Sequence, residues 1–427
     1  MNRLGLRTLA LTGVSRSIAA FGGLAFTAMV GRMFGADTLG LFVFTNAIVL
    51  LLVMLTKFGG DRDLLKFIAI HRENVWSSDR MARLGSACLL STGLAVMAAL
   101  ALAFMPTLLG YPPSPRLDTL AMLAPAIPFM TWMALNAGFL KGLSYPHLGT
   151  LFENGGVFAL SALMLMLAGA ANRTADLQTL IVLYIGAGIM AWVISLGLVF
   201  FLNRRSVDPG EVKEKKHKAN AQARSNIQFT MIDITNFLIS SGSFIIGALV
   251  LTDRDLGLLR GAERITLLIA FVINVTNIIV APRIARSFAD GSQTALVNAG
   301  RWAVRWNAYL ATPIFLFCVI WPDPLIDLLG PDFAGIGPLI RIMAFGQLVN
   351  VLSGPCAMYL SMTEHATLTV KINLIALVIS VILYITLSSL FGMTGFAIAY
   401  AASIILRNAM MLAAVRSRLQ IWYLPRL

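Results

Sequence analysis

What most constrains this chain is an apolar pattern written twice: six long hydrophobic stretches, a polar break, then six more. Each stretch runs for about 18–25 residues, the length at which a helix crosses the ~30 Å hydrocarbon core of a bilayer. Backbone N–H and C=O groups in lipid must be satisfied within their own segment, so these stretches are helices and not open strands. Hydrophobic residues make up 58% of the 427 and charged residues 12%, too little polar surface to coat a soluble fold of this size. The expectation is an all-α polytopic membrane protein of about 12 transmembrane helices. The spans fall at 9–34, 38–58, 84–109, 117–140, 149–169 and 179–202, then at 226–251, 256–280, 303–322, 335–360, 367–390 and 393–415.

Between the two sets lies NRRSVDPGEVKEKKHKANAQAR, residues 203–224. Pro209-Gly210 interrupts it, and the charge run that follows reads as a solvated linker, with a lipid-binding regulatory segment as the alternative. The organisation expected is an N-terminal six-helix lobe (1–203), a basic cytoplasmic linker (204–224) and a C-terminal six-helix lobe (225–427). The halves align. Leu39-Gly40-Leu41 opens the second span and Leu256-Gly257-Leu258 the eighth, 217 positions on. Leu108-Leu109-Gly110 precedes the fourth span and Leu328-Leu329-Gly330 the tenth, 220 positions on. Six spans per half preserve orientation, so the repeats are parallel and related by a pseudo-two-fold axis along the membrane normal.

The net charge of +13 raises the question of nucleic acid, and the position of the charges answers it. Of 33 Lys and Arg, only Arg32, Arg116, Arg173 and Arg254 fall in or beside the connections on one side, and most of the others fall on the opposite side. That side holds Arg62, Lys66, Arg72, Arg80 and Arg83, then Lys213, Lys215, Lys216 and Lys218, then Arg283 and Arg286. Such asymmetry marks the cytoplasmic face, which puts both termini inside and makes anionic lipid, not DNA, the partner of the basic surface. Met1–Thr8 lacks the short apolar core and cleavage site of a signal peptide and reads as the start of an uncleaved first helix. Cys88, Cys318 and Cys356 are scattered in apolar runs as packed thiols. His71, His147, His217 and His365 show no ligand spacing, so no metal site is expected.

Ionisable residues inside spans cost about 2.5–3.5 kcal/mol each at a helix centre and need a reason. Arg16 sits about seven residues, or about 10 Å, into the first span. Asp233 lies at the matching depth of the seventh, again 217 positions on. Either the two face a shared cavity and pair, or each pairs locally within its own lobe. Arg260 and Arg264 are four apart and share a helical face, with Glu263 adjacent. Guanidinium is always charged and donates bidentate hydrogen bonds, so this pair suits a phosphate or diphosphate; an Arg–Glu structural pair is the alternative. Glu153 and Lys371 lie just inside the expected cytoplasmic boundary, within snorkelling distance, and Arg341 and Arg407 are also within reach of interfaces. Asp233, Glu263 and Glu153 are the candidates for charge pairing or ion coupling. Pro125, Pro128, Pro313 and Pro355 predict kinks.

The sequence has no nucleotide-binding glycine loop with Lys, no zinc-spaced His and Glu, and no nucleophile elbow. No cofactor is expected. Transport would run on a proton or sodium gradient, or on the substrate's own.

Several stretches resemble polysaccharide flippases of the multidrug/oligosaccharidyl-lipid/polysaccharide exporter superfamily: GRMFGADTLGLFVFTNAI and KFGGDRDLLKFIA in the first half, and APRIARSFADG, LLGPDFAGIGPLIRIMAFGQLVNVLSGP and GMTGFAIAYAASIILRN in the second. The resemblance covers nearly the whole chain and rests on order and pattern. It implies two helical lobes that move undecaprenyl-diphosphate-linked sugars outward for O-antigen, capsule or exopolysaccharide assembly, without enzymatic chemistry. It implies as partners a polyprenyl-diphosphate-linked glycan, membrane lipids, and polysaccharide polymerase and export machinery, at the bacterial cytoplasmic (inner) membrane. It also implies a cationic cavity, which Arg16, Arg264 and Arg260 fit by chemistry and depth. The rival readings are a cation-coupled multidrug exporter of the same superfamily and a membrane enzyme acting on lipid-linked sugars.

Overall fold

A computed structural model describes residues 3–70, 77–108, 110–170, 176–204, 230, 231, 233–235, 237, 238 and 241–424. Among these the secondary structure is helical throughout. Most of the basic linker and the first part of the seventh expected span lie outside the described residues. By internal contacts the chain forms two compact units. Unit 1 holds residues 1–34 and 41–237, and unit 2 holds 35–40 and 238–427.

In chain order the helices are α1 (Arg3–Thr56), α2 (Gly60–Ile70), α3 (Ser77–Leu108), α4 (Pro115–Leu123), α5 (Ala126–Gly142), α6 (Pro146–Thr150), α7 (Gly156–Ala170) and α8 (Leu177–Arg204). Then follow α9 (Gly242–Gly247), α10 (Asp253–Ala289), α11 (Gln293–Ile320), α12 (Asp323–Leu329), α13 (Gly337–Leu352), α14 (Cys356–Met362) and α15 (Ala366–Leu419).

Length separates true spans from merged ones. α1 and α15 have 54 residues each, about 80 Å if straight, well over twice the hydrocarbon core. Neither is straight. Gly35 (φ 83°, ψ 176°) breaks α1 and Gly392 (φ 56°, ψ −135°) breaks α15, at backbone angles that a Cβ disfavours. Each is therefore two spans. Seven described helices are long and apolar enough to cross a membrane, or nine when two bent helix pairs are each counted as one span. With α1 and α15 each divided, eleven of the twelve expected spans are accounted for, and the remaining one is the partly described seventh. One bent pair is α4–α5, turned by 47° at Pro125, where a proline was expected to interrupt the helix. The chain is a multi-pass membrane protein.

In unit 1 the helices approach through small residues, as expected where lipid supplies no hydrophobic drive between helices. A Cβ on Gly22 would stand 2.5 Å from the Ala159 Cβ, and one on Gly155 2.0 Å from the Ala19 Cβ. Phe26, Phe42, Phe158 and Tyr184 form an aromatic core with ring centroids 4.9–6.0 Å apart. The Tyr184 hydroxyl donates to Asn46 Oδ1 at 2.9 Å, which settles the polar end of an otherwise apolar cluster.

Unit 2 begins with the short excursion of α1. Residues 35–40 lie against the first turns of α10, and the contact is reciprocal. A Cβ on Gly40 would meet the Asp253 carbonyl oxygen at 1.6 Å, and one on Gly257 would meet that of Ala36 at 1.9 Å. Arg254 also pairs with Asp37, 217 positions apart, at 3.1 Å. The Leu-Gly-Leu tripeptides matched in sequence are thus a backbone-to-backbone contact. Asp332 Oδ2 accepts from the Ala36 N–H at 3.3 Å and serves the helix restarting after Gly35, whose own residue has no side chain to cap it. A hydrophobic core of unit 2 joins Val280 and Ile284 of α10, Leu296 and Val304 of α11, Tyr359 and Leu360 of α14, and Met411 and Val415 of α15 with Ile421 and Tyr423.

By internal contacts, unit 1 extends through Phe237. The physical reason lies at Asp233, whose carboxylate is held by Lys57 and Arg62 of the first half.

Candidate functional site

α10 sets the site. Thr252 and Asp255 form a reciprocal capping box that fixes the start of the helix and hence the rotation of every residue after it. Arg260, Glu263, Arg264, Leu267, Ala270 and Asn274 recur at steps of three and four, so they share one face, and that face lines a cavity of about 390 Å³ within unit 2. α13 contributes Gln347 and Asn350, and α15 contributes Tyr384, Tyr400, Ser403 and Arg407.

Arg260 Nη1 donates to Glu263 Oε2 at 2.6 Å, with side chains 14% and 4% exposed, so the pair is shielded from water. The Arg260 guanidinium also lies 5.2 Å from the centre of the Phe244 ring. One turn on, Arg264 reaches the same space. Across the cavity, Gln347 Nε2 donates to the Tyr400 hydroxyl at 2.6 Å, Asn350 Nδ2 to Gln347 Oε1 at 3.2 Å, and Asn408 Nδ2 to Asn350 Oδ1 at 2.9 Å. This chain fixes three lining side chains in place. Ser403 Oγ is buried with no hydrogen-bond partner among the described residues, a polar group open to a ligand. Arg407 forms no ion pair among the described residues. The lining therefore carries three guanidiniums and one carboxylate. Among the described lining residues the cations outnumber the anion by two, a balance that suits a ligand with two negative charges.

The sequence-derived candidates divide between the units. Arg260, Glu263 and Arg264 meet in this cavity. Arg16 lies exposed on the first half of α1, in unit 1. Asp233, also in unit 1, is buried between Lys57 Nζ at 2.6 Å and Arg62, and Lys57 in turn pairs with Asp61 at 2.8 Å. The described ion-pair partners of Asp233 are thus residues of the first half other than Arg16. Glu153 accepts from Lys141 at 2.6 Å and is 49% exposed, a local surface pair. Lys371 is exposed, and Arg341 Nε donates to the Val319 carbonyl.

Arg407 is the main residue assigned elsewhere by sequence. Tyr400, Ser403 and Arg407 follow the three-and-four spacing of one helical face, which was a usable signal. Tyr384 and Gln347 carried no such mark. Among the described residues no group of His, Cys, Asp and Glu could hold a metal ion.

Comparison with known proteins agrees with this architecture. A family described as polysaccharide biosynthesis protein matches residues 6–288, and the MatE family matches residues 232–386. No curated protein matches the chain in sequence. Among solved structures the chain is similar to the lipid II flippase MurJ in an inward closed conformation, with TM-score 0.69 and 14% identity over 95% of this chain and 87% of that one. It is similar to an inward-facing multidrug resistance MATE family transporter of the MOP superfamily, with TM-score 0.68 and 11% identity over 94% of each chain. A third is a MOP superfamily transporter from Pyrococcus furiosus described as having a binding pocket of reversed polarity, with TM-score 0.64 and 13% identity over 97% and 95%. These identities carry the fold, and the match over residues 6–288 carries the family. The chain belongs to the polysaccharide biosynthesis protein family, and it shares its fold with these flippase and MATE transporter structures.

Proposed function

We propose that this protein translocates a polyprenyl-diphosphate-linked oligosaccharide from the cytoplasmic to the outer leaflet by alternating access. The observation that carries the reading is the unit 2 cavity, where Arg260, Arg264 and Arg407 outnumber the single carboxylate of Glu263. A diphosphate diester has one negative charge on each phosphate, which matches that excess of two. Tyr400, Gln347, Asn350 and Ser403 supply hydroxyl and amide groups suited to sugar hydroxyls. The polyprenyl tail stays in lipid, since each buried CH₂ is worth about 0.8 kcal/mol there.

Glu263 gives the site a means of ion coupling. On the return step, after the diphosphate has left, this carboxylate takes a proton or a sodium ion, so the ion moves inward in exchange for the substrate moved outward. The termini face the cytoplasm of a bacterium, and the glycan passes outside to polymerase and export machinery for O-antigen, capsule or exopolysaccharide.

The test is deletion of the gene followed by extraction of lipids and glycan analysis. Accumulation of a polyprenyl-diphosphate oligosaccharide on the cytoplasmic side supports the reading. The MatE match over residues 232–386 favours a second reading, a cation-coupled drug exporter, which the same deletion separates. Unchanged lipids with new sensitivity to organic cations would select it, although a cavity with excess guanidinium repels such substrates.

A further inference from the structure

α11 carries a second constellation that the transport site does not use. Its segment Arg301-Trp302-Ala303-Val304-Arg305-Trp306 repeats an Arg-Trp pair at a spacing of four, and Tyr309 follows three residues later. At about 100° per residue these five side chains fall within an arc of about 140°, with the arginines at one edge and the tryptophans at the other. Arg301, Arg305, Trp306 and Tyr309 are exposed, Tyr309 at 72%. Ring contacts link Trp302 to Trp306 at 6.1 Å and Trp306 to Tyr309 at 6.4 Å. From the neighbouring helix α10, Arg283 lies 4.6 Å from the centre of the Trp302 ring, and Trp302 itself packs on unit 2's core. Arg301 and Arg305 form no ion pair among the described residues, and the 28 residues of α11 include no Asp or Glu.

We infer that this face is a binding site for one anionic phospholipid of the surrounding leaflet. Arg283, Arg301 and Arg305 take the phosphate and glycerol head, and the Trp302–Trp306–Tyr309 stripe carries the acyl chains. The arrangement has the order that an interface demands. Cations stand at the polar end of the helix, and amphipathic aromatic rings continue toward the apolar end. Guanidinium suits the task because it is weakly hydrated, stacks on an indole and still donates a fork of hydrogen bonds to phosphate. The partner is a lipid because the exposed rings descend along a helix that crosses the bilayer.

The test uses the full chain in vesicles and reads quenching of tryptophan fluorescence by brominated phospholipids. Brominated phosphatidylglycerol is expected to quench more strongly, mole for mole, than brominated phosphatidylcholine. Each arginine removed should lower that preference by about fivefold. Arg301→Gln with Arg305→Gln should therefore lower it about 25-fold, and Arg301→Lys with Arg305→Lys should keep most of it. Trp302→Phe with Trp306→Phe should remove the preferential signal while the other tryptophans are still quenched by phosphatidylcholine, which shows that the variant is inserted. Equal quenching by the two lipids in the native chain, or a preference undiminished in Arg301→Gln with Arg305→Gln, would overturn the site. Displacement of phosphatidylglycerol by an equimolar amount of polyprenyl diphosphate would also overturn it, in favour of a substrate-docking surface.

Discussion

Arg260 and Glu263 are joined by a 2.6 Å ion pair one helical turn apart, and the carboxylate is the only one among the described residues lining a cavity that also holds Arg264 and Arg407. The pair sets the charge of the cavity. With Glu263 ionised the lining has two positive charges in excess, and its loss leaves three.

Removing one member of a shielded pair strands the other, at a cost of about 3–5 kcal/mol. Glu263→Ala is expected to lower the thermal unfolding temperature of the purified protein clearly. Arg260→Met with Glu263→Leu should regain most of that loss, because the apolar replacement leaves no stranded charge. Thermal unfolding in detergent of both variants checks this. It also separates structure from transport, which the double variant should not recover.

Arg407 was assigned by sequence to an interface and stands in the cavity. A hydrogen bond to a charged group contributes about 1.5–3 kcal/mol, so Arg407→Ala is expected to weaken substrate binding about ten- to hundredfold. Surface polysaccharide should fall at unchanged protein level. Arg407→Lys, which keeps the charge without the bidentate fork, should lie between the two.

Asp233 forms ion pairs with Lys57 and Arg62 within unit 1. A charge swap of Arg16→Asp with Asp233→Arg is therefore expected to give no rescue over Asp233→Arg alone, measured as surface polysaccharide and protein level. Restored function would establish that these two residues are partners.

The contact of Gly40 with Asp253 and of Gly257 with Ala36 leaves no room for a methyl group, since the obstacle is backbone and cannot rotate away. Overpacking of this kind costs about 1–3 kcal/mol or more. Gly40→Ala and Gly257→Ala should each lower the unfolding temperature. Gly85→Ala, where an added Cβ meets nothing within 4 Å, serves as the control and should not.

These cases show what the sequence could carry. Hydropathy located the spans because lipid imposes both length and helicity on any segment that crosses it. The Leu-Gly-Leu repeat was legible as a match at equal spacing, and its physical content is the close approach of two helix starts. Offset arithmetic failed at Asp233. It gives a residue's depth but not its neighbour, and Lys57 and Arg62, which hold Asp233, flank a helix-to-helix turn at Phe58 and Gly59 with positive φ. Arg407 was misjudged because depth was measured from a span end at residue 415. α15 runs on to Leu419, which places Arg407 about 18 Å from its end. Tyr384 and Gln347 enter the cavity through tertiary packing, to which single-helix periodicity is blind.

The central claim is that the unit 2 cavity is an anion site built for a diphosphate. It is tested most directly by equilibrium binding of polyprenyl diphosphate to the purified full chain, beside Arg264→Ala and the triple variant Arg260→Gln, Arg264→Gln, Arg407→Gln. The account expects saturable binding to the native chain, weakened about tenfold or more by Arg264→Ala and absent in the triple variant. Equal binding to all three proteins, or tighter binding of an organic cation than of polyprenyl diphosphate, would contradict it.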